Sequence, residues 1–190
     1  MSDIKPVKLA LLGEIRAGKD TVAQIISHEL NKLDTNNHVQ FLAFANGIHK
    51  VIEQFFPDAY KQGKPRKHLQ HIGQSFRELN PDIWVDMLFN SIPYQIAKEH
   101  KFHILVTDVR QPNEAKRLQE EGFKVIKITA SKEVRIARMK AQGDNFNPED
   151  LEHETEKVVH QCPYDYLIDN SFSIDVLEQR INGILKEVLA

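Results

Sequence analysis

The sequence predicts an α/β protein with a mainly parallel, five-stranded sheet covered by helices on both faces. Three observations carry that expectation. Short apolar runs rich in β-branched residues alternate with stretches of helical period, the pattern that builds parallel sheets with crossover helices. The first run leads into a G-x-x-x-x-G-K loop, Gly13 to Lys19, and then into a helical pattern. Strand, glycine loop and helix start in that order separate a phosphate-binding loop from a chance match. At 190 residues, with 41% hydrophobic and 27% charged content, the chain can bury a full core as one domain spanning 1–190.

The elements follow in order. Lys8 to Leu12 reads as the first strand, and Val22, Ala23, Ile25, Ile26 and Leu30 set the period of the first helix. Asp34 to His38 is a turn cluster, Val39 to Phe44 the second strand, and Asn46 to about Phe56 a helix. Pro57 to Pro65 is a polar connection. Arg66 to Leu79 places Leu69, Ile72, Phe76 and Leu79 on one helical face. Pro81 opens another helix, about Asp82 to Glu99, which Pro93 should kink or break. These two helices, within about 57–100, are expected to form an inserted cap over the ligand edge of the sheet. Phe102 to Thr107 is the third strand, and Pro112 to Glu121 a short helix stopped by Gly122. Lys124 to Thr129 is the fourth strand, and Ser131 caps a helix to Ala141. A loop over 142–148 and a helix over 149–160 follow, with a lid expected over about 139–152. Tyr166 to Ile168 and Ile174 to Leu189 are the last strand and helix.

Composition narrows the classes. A net charge of −2 argues for neither nucleic-acid nor membrane partners. One cysteine, Cys162, excludes an internal disulfide and suits a reducing compartment. No apolar leader and no membrane-length run is seen, so a cytoplasmic protein is expected. The His68/His71 and His100/His103 pairs lack a third ligand at metal spacing and read as surface or capping residues; His49 and His153 are candidates to approach the site.

The candidate site residues are charged. Loop N–H groups from Gly13 through Ile15, Arg16, Ala17 and Gly18 can converge on phosphate oxygens, aided by the positive end of the next helix. Lys19 adds a charge for the outer phosphates. Position 20 usually carries Ser or Thr for Mg²⁺, and here Asp20 precedes Thr21; a carboxylate is also a hard oxygen ligand. Asp108, at the end of the third strand, stands where a Mg²⁺-water ligand or a cap belongs, with Arg110 on the same loop. Arg66 and Arg77 offer bidentate donors for a second phosphate. Arg135 and Arg138 share one helix face and suit a mobile lid that brings charge onto a transferring phosphate.

With these residues assembled, the chain resembles the P-loop nucleoside monophosphate kinases, phage-type deoxynucleoside monophosphate kinases above all. The matches are GEIRAGKDT at 13–21, FLAFANGIHK at 41–50, LQHIGQSFRELNPDIW at 69–84, VTDVRQPNEA at 106–115 and HETE at 153–156. The resemblance implies a P-loop NTPase three-layer sandwich. It implies ATP held by Gly13 to Thr21, with Mg²⁺ on Asp20 and Asp108. It implies an acceptor phosphate gripped by Arg77 and Arg110, and closure by Arg135 and Arg138. Gln70, Gln74 and Trp84 would contact the acceptor base or shape its pocket, and Asn170 falls where the adenine loop of that family lies. Asp20 is usual in this group. Departures are Asn46-Gly47 in place of an F-A-D-P motif, which puts the acceptor's identity in question, and Asn170-Ser171-Phe172 without the usual glycine. The expected partner is a small-molecule phosphate acceptor, with a homodimer as an assembly left open. The alternatives are a small-metabolite kinase of dephospho-coenzyme A or phosphomevalonate type, and a nucleotide-binding regulator without transfer activity.

Overall fold

The computed structural model describes residues 5–33, 38–61, 63–141 and 158–190. Five strands, β1 (Lys8–Gly13), β2 (Val39–Leu42), β3 (His103–Val109), β4 (Lys124–Thr129) and β5 (Tyr166–Asp169), form one sheet in the order β2-β3-β1-β4-β5. Every neighbouring pair is parallel. After β1 the chain lays down the edge strand β2, returns to place β3 between β2 and β1, and then continues outward through β4 and β5. The phosphate loop therefore leaves the sheet at its centre, where a parallel sheet opens a crevice beyond its carboxyl ends.

Side chains alternate between the two faces. Leu9, Leu11, Leu105, Ile126 and Ile128 pack under α1 (Lys19–Leu33) and α8 (Ile174–Leu189), through Val22, Ile26, Leu30, Leu177, Ile181 and Leu185. Ala10, Leu12, Ile104, Val106 and Val125 pack under α2 (Ala45–Phe55), α4 (Ile83–Phe89), α5 (Ile92–Glu99) and α6 (Pro112–Glu120). The remaining helices are α3 (Arg66–Leu79) and α7 (Lys132–Ala141). No helix among the described residues is long and apolar enough to cross a membrane.

The structure corrects the expected helical cap. The Asp82–Glu99 segment is two helices, broken at Asn90–Ser91, where Ser91 Oγ donates to Leu88 O at 2.6 Å and accepts from Tyr94 N at 3.4 Å. Pro93 sits in the first turn of α5, where its missing N–H costs nothing. Trp84, Val85, Leu88, Phe89, Tyr94 and Ala97 all join the core against the sheet. α4 and α5 thus belong to the covering layer, because they carry enough apolar surface to seal β2 and β3. α3 stands further out, packed on α2 and α4, and its last turn overhangs them, leaving Leu79 88% exposed. α2 and α4 approach closely because residue 47 is glycine: a Cβ there would lie 3.0 Å from the Trp84 ring.

Candidate active site

The loop after β1 has the backbone its glycines were expected to allow. A Cβ on Gly13 would lie 2.5 Å from Ile128 O, and Gly18 has φ +99° with Asn170 Nδ2 at 2.2 Å from any Cβ. Arg16 also takes a positive φ, 60°. Lys19 opens α1 and arches back over the loop, its ammonium donating to Gly13 O at 2.7 Å and Glu14 O at 3.0 Å. Asp20 and Thr21 lie exposed in the first turn of α1.

The far wall of the loop is α7 and the turn after β5. Arg135 is only 5% exposed; it donates to Glu14 Oε1 at 2.5 Å and to Ile15 O at 2.9 Å. His160 Nε2 lies 3.6 Å from the same Glu14 oxygen. Arg138 donates to Arg16 O, Ala17 O and Asn170 O at 3.3, 3.2 and 2.8 Å. Asn170 is buried, and its Nδ2 donates to Ala17 O at 2.9 Å. Arg135 and Arg138 do share a face, as their spacing required. That face binds loop carbonyls and a loop carboxylate, so in this structure the two arginines brace the loop. Asn170 likewise fastens the loop. The expected lid beyond Ala141, the HETE run and His153 lie outside the described residues.

The third wall is the carboxyl end of β3. Both oxygens of Asp108 accept backbone N–H bonds, from Phe44 at 2.8 Å and Ala45 at 2.9 Å. The carboxylate therefore caps the start of α2, the capping alternative to metal ligation. Glu114 on α6 is 1% exposed. Its Oε2 accepts from the N–H of Arg110 at 2.9 Å and of Gln111 at 3.0 Å, and its Oε1 from Arg77 Nη2 at 3.1 Å. Burial pushes the Glu114 carboxyl above its ordinary value; the Arg110 N–H, the Arg77 charge and the Gln111 N–H pull it down, and the Asp108 charge pushes it up. Arg77 spends a further N–H on Gly73 O at 3.3 Å.

Other expected contacts separate. Arg66, Gln70, Gln74 and Arg77 fall within one face of α3 by their spacing; the first three are exposed. Trp84, expected to contact the acceptor base or shape its pocket, is 1% exposed. Its Nε1 donates to Gly73 O at 3.0 Å and its ring stacks on Phe76, so it joins α3 to α4. Glu14 and Glu114 were missed. Glu114 had a local signal, a carboxylate three residues into a helix start. Glu14 had none, since Arg135 is 121 residues away.

The fold is α/β with a five-stranded, all-parallel sheet, and solved structures named as kinases have the same fold. Shikimate kinase from Acinetobacter baumannii in complex with shikimate matches at TM-score 0.58 and 15% identity, over 98% of this chain and 97% of that one. A gluconokinase from Sinorhizobium meliloti matches at 0.53 and 13%, over 97% and 94%. Shikimate kinase from Bacteroides thetaiotaomicron matches at 0.53 and 16%, over 95% and 98%. No protein-family profile matches the chain, and no curated protein matches it in sequence.

Proposed function

We propose that this protein transfers the γ-phosphate of ATP to a (deoxy)nucleoside monophosphate, giving the diphosphate. The observation that carries the reading is Arg77. It comes from the outlying α3, yet Glu114 turns it in toward the β3–α6 turn, on the strand beside the phosphate loop. A module that only binds a nucleotide has no use for a second cation held there.

The parts then divide the work. The loop from Gly13 to Thr21 holds the donor phosphates, and Lys19 exchanges its carbonyl partners for phosphate oxygens. Arg77 and Arg110 hold the acceptor phosphate in line, and Arg66, Gln70 and Gln74 line the same side. The attacking group is already an anionic phosphate oxygen, so positioning and charge supply the catalysis and no base is required; Asn46 is compatible with that. Arg135, Arg138 and Asn170 keep the loop in shape.

Mg²⁺ fits this residue set. It is commonly held by one or two carboxylates plus waters and substrate phosphates. Asp20 offers an exposed carboxylate beside Lys19, and Asp108 retains second lone pairs beyond its two backbone bonds. When bound, the ion would neutralise charge on the β- and γ-phosphates.

The small-metabolite reading is favoured by one observation: structures of the same fold are named for shikimate and gluconate kinases. A coupled ADP-release assay across the common NMPs and dNMPs, with dephospho-coenzyme A, phosphomevalonate, shikimate and gluconate, separates them. Turnover with a nucleoside monophosphate is expected; turnover with a non-nucleotide alone sinks the reading. The open homodimer question is read by light scattering.

A further inference from the structure

Glu114 is a buried carboxylate that neither the loop nor the donor phosphates require. Yet it binds, through separate oxygens, the two places from which acceptor cations come. Oε1 takes Arg77 at 3.1 Å, and Oε2 takes the backbone N–H groups of Arg110 and Gln111 at 2.9 and 3.0 Å. α3 itself packs on α2 and α4, so Arg77 needs a tie to bring its guanidinium to β3. Arginine has long rotamer freedom, and an untethered one in the last turn of an outlying helix loses entropy whenever it grips a ligand. A fixed planar fork with donors left over is instead ready to bind.

We infer that Glu114 is the positioning residue of the acceptor site: one carboxylate locks Arg77 and the Arg110-bearing turn into the geometry that binds the acceptor's phosphate. This rests on the proposed kinase reading. Glu114 touches no substrate, and its effect runs through Arg77. A second tie joins the same elements, Asn113 Nδ2 donating to Pro81 O at 3.0 Å and Asp82 Oδ1 at 2.8 Å. It holds α6 to the α3–α4 turn without touching either arginine, which makes it the natural control.

The substitution that isolates the role is Glu114→Gln. The amide oxygen still accepts from the Arg110 and Gln111 N–H groups, but the NH₂ faces the Arg77 guanidinium, which has no acceptor to offer. Steady-state kinetics with ATP and each of dAMP, dGMP, dCMP and dTMP in turn is the assay. Expected is an acceptor KM raised by about 10- to 100-fold, the range for a lost charge-assisted hydrogen bond, with the KM for ATP within about twofold of the unmodified chain's, as expected when Glu114 contacts no donor phosphate. Arg77→Ala should raise it similarly, and the double variant should add little, because the two side chains act as a unit. Asn113→Ala should leave both KM values unchanged.

An unchanged acceptor KM in Glu114→Gln, additive effects of the two variants, or an equal effect of Asn113→Ala overturns the inference while leaving the kinase reading standing. An unchanged acceptor KM in Arg77→Ala, or no turnover of any acceptor by the unmodified chain, overturns both. Should Glu114→Gln fail to fold, Glu114→Asp keeps the charge and shortens the reach, and an unchanged acceptor KM in that variant overturns the inference equally.

Discussion

Lys19 shows how one side chain links the loop's shape to its chemistry. Its ammonium satisfies the carbonyls of Gly13 and Glu14, so the charge is held over the loop. Lys19→Ala is expected to cut turnover by on the order of 10²–10³-fold, the scale for removing a donor aimed at developing charge, with little change in melting temperature; near-normal rates in the ADP assay would refute it. Glu114 makes a different prediction. Its folded pKa is raised above the ordinary 4.5, chiefly by burial. The folded state then binds a proton more tightly than the unfolded chain does, so stability is lost as pH rises through the raised value and recovered as pH falls back toward 4.5. The difference in melting temperature between a mildly acid and a neutral buffer should shrink in Glu114→Gln.

At the scale of elements, α7 is the brace of the site. Its Arg135–Glu14 pair is nearly buried, with side chains 6% and 13% exposed. Breaking such a pair leaves one charge without its partner, so Arg135→Ala should cost about 3 kcal/mol and raise the KM for ATP as the loop loosens. Denaturant titration and kinetics measure the two effects separately. α8 gives a change of opposite sign. Gly183 is exposed, has ordinary helical angles, and a Cβ there meets nothing within 4 Å. Gly183→Ala is therefore expected to stabilise by about 0.5–1 kcal/mol, read as a higher melting temperature with unchanged kinetics. The periodicity that placed α1, α6 and α8 was strong because each turns one apolar stripe to the sheet. α3 was placed at its observed bounds, but the break between α4 and α5 at Asn90–Ser91 was not, because it rests on Ser91 bonding Leu88 O and Tyr94 N rather than on Pro93.

For the molecule as a whole, the two helix layers share the sheet, so the core should unfold as a unit. Trp84 tests this. It sits in the cluster that joins α2, α4 and α5 to the sheet, and Trp84→Ala should cost about 3–5 kcal/mol, a large share of the ~5–15 kcal/mol of a typical domain. A single calorimetric transition at lower temperature is expected; a separate early transition would show that α3 and α4 melt on their own. The sequence by itself determined the five strands, their parallel pairing and the glycine loop. These are local in origin: β-branched runs bury on both faces, helical stripes cover them, and a loop that must turn tightly against Ile128 and Asn170 admits only glycine at positions 13 and 18. Only the tertiary structure decided what the charged residues do. Arg135 and Arg138 brace the loop, Asp108 caps α2, and Glu114 holds Arg77, because each depends on a partner tens of residues away. The range of helical spacing tells which side chains share a face; only packing in three dimensions tells what that face meets.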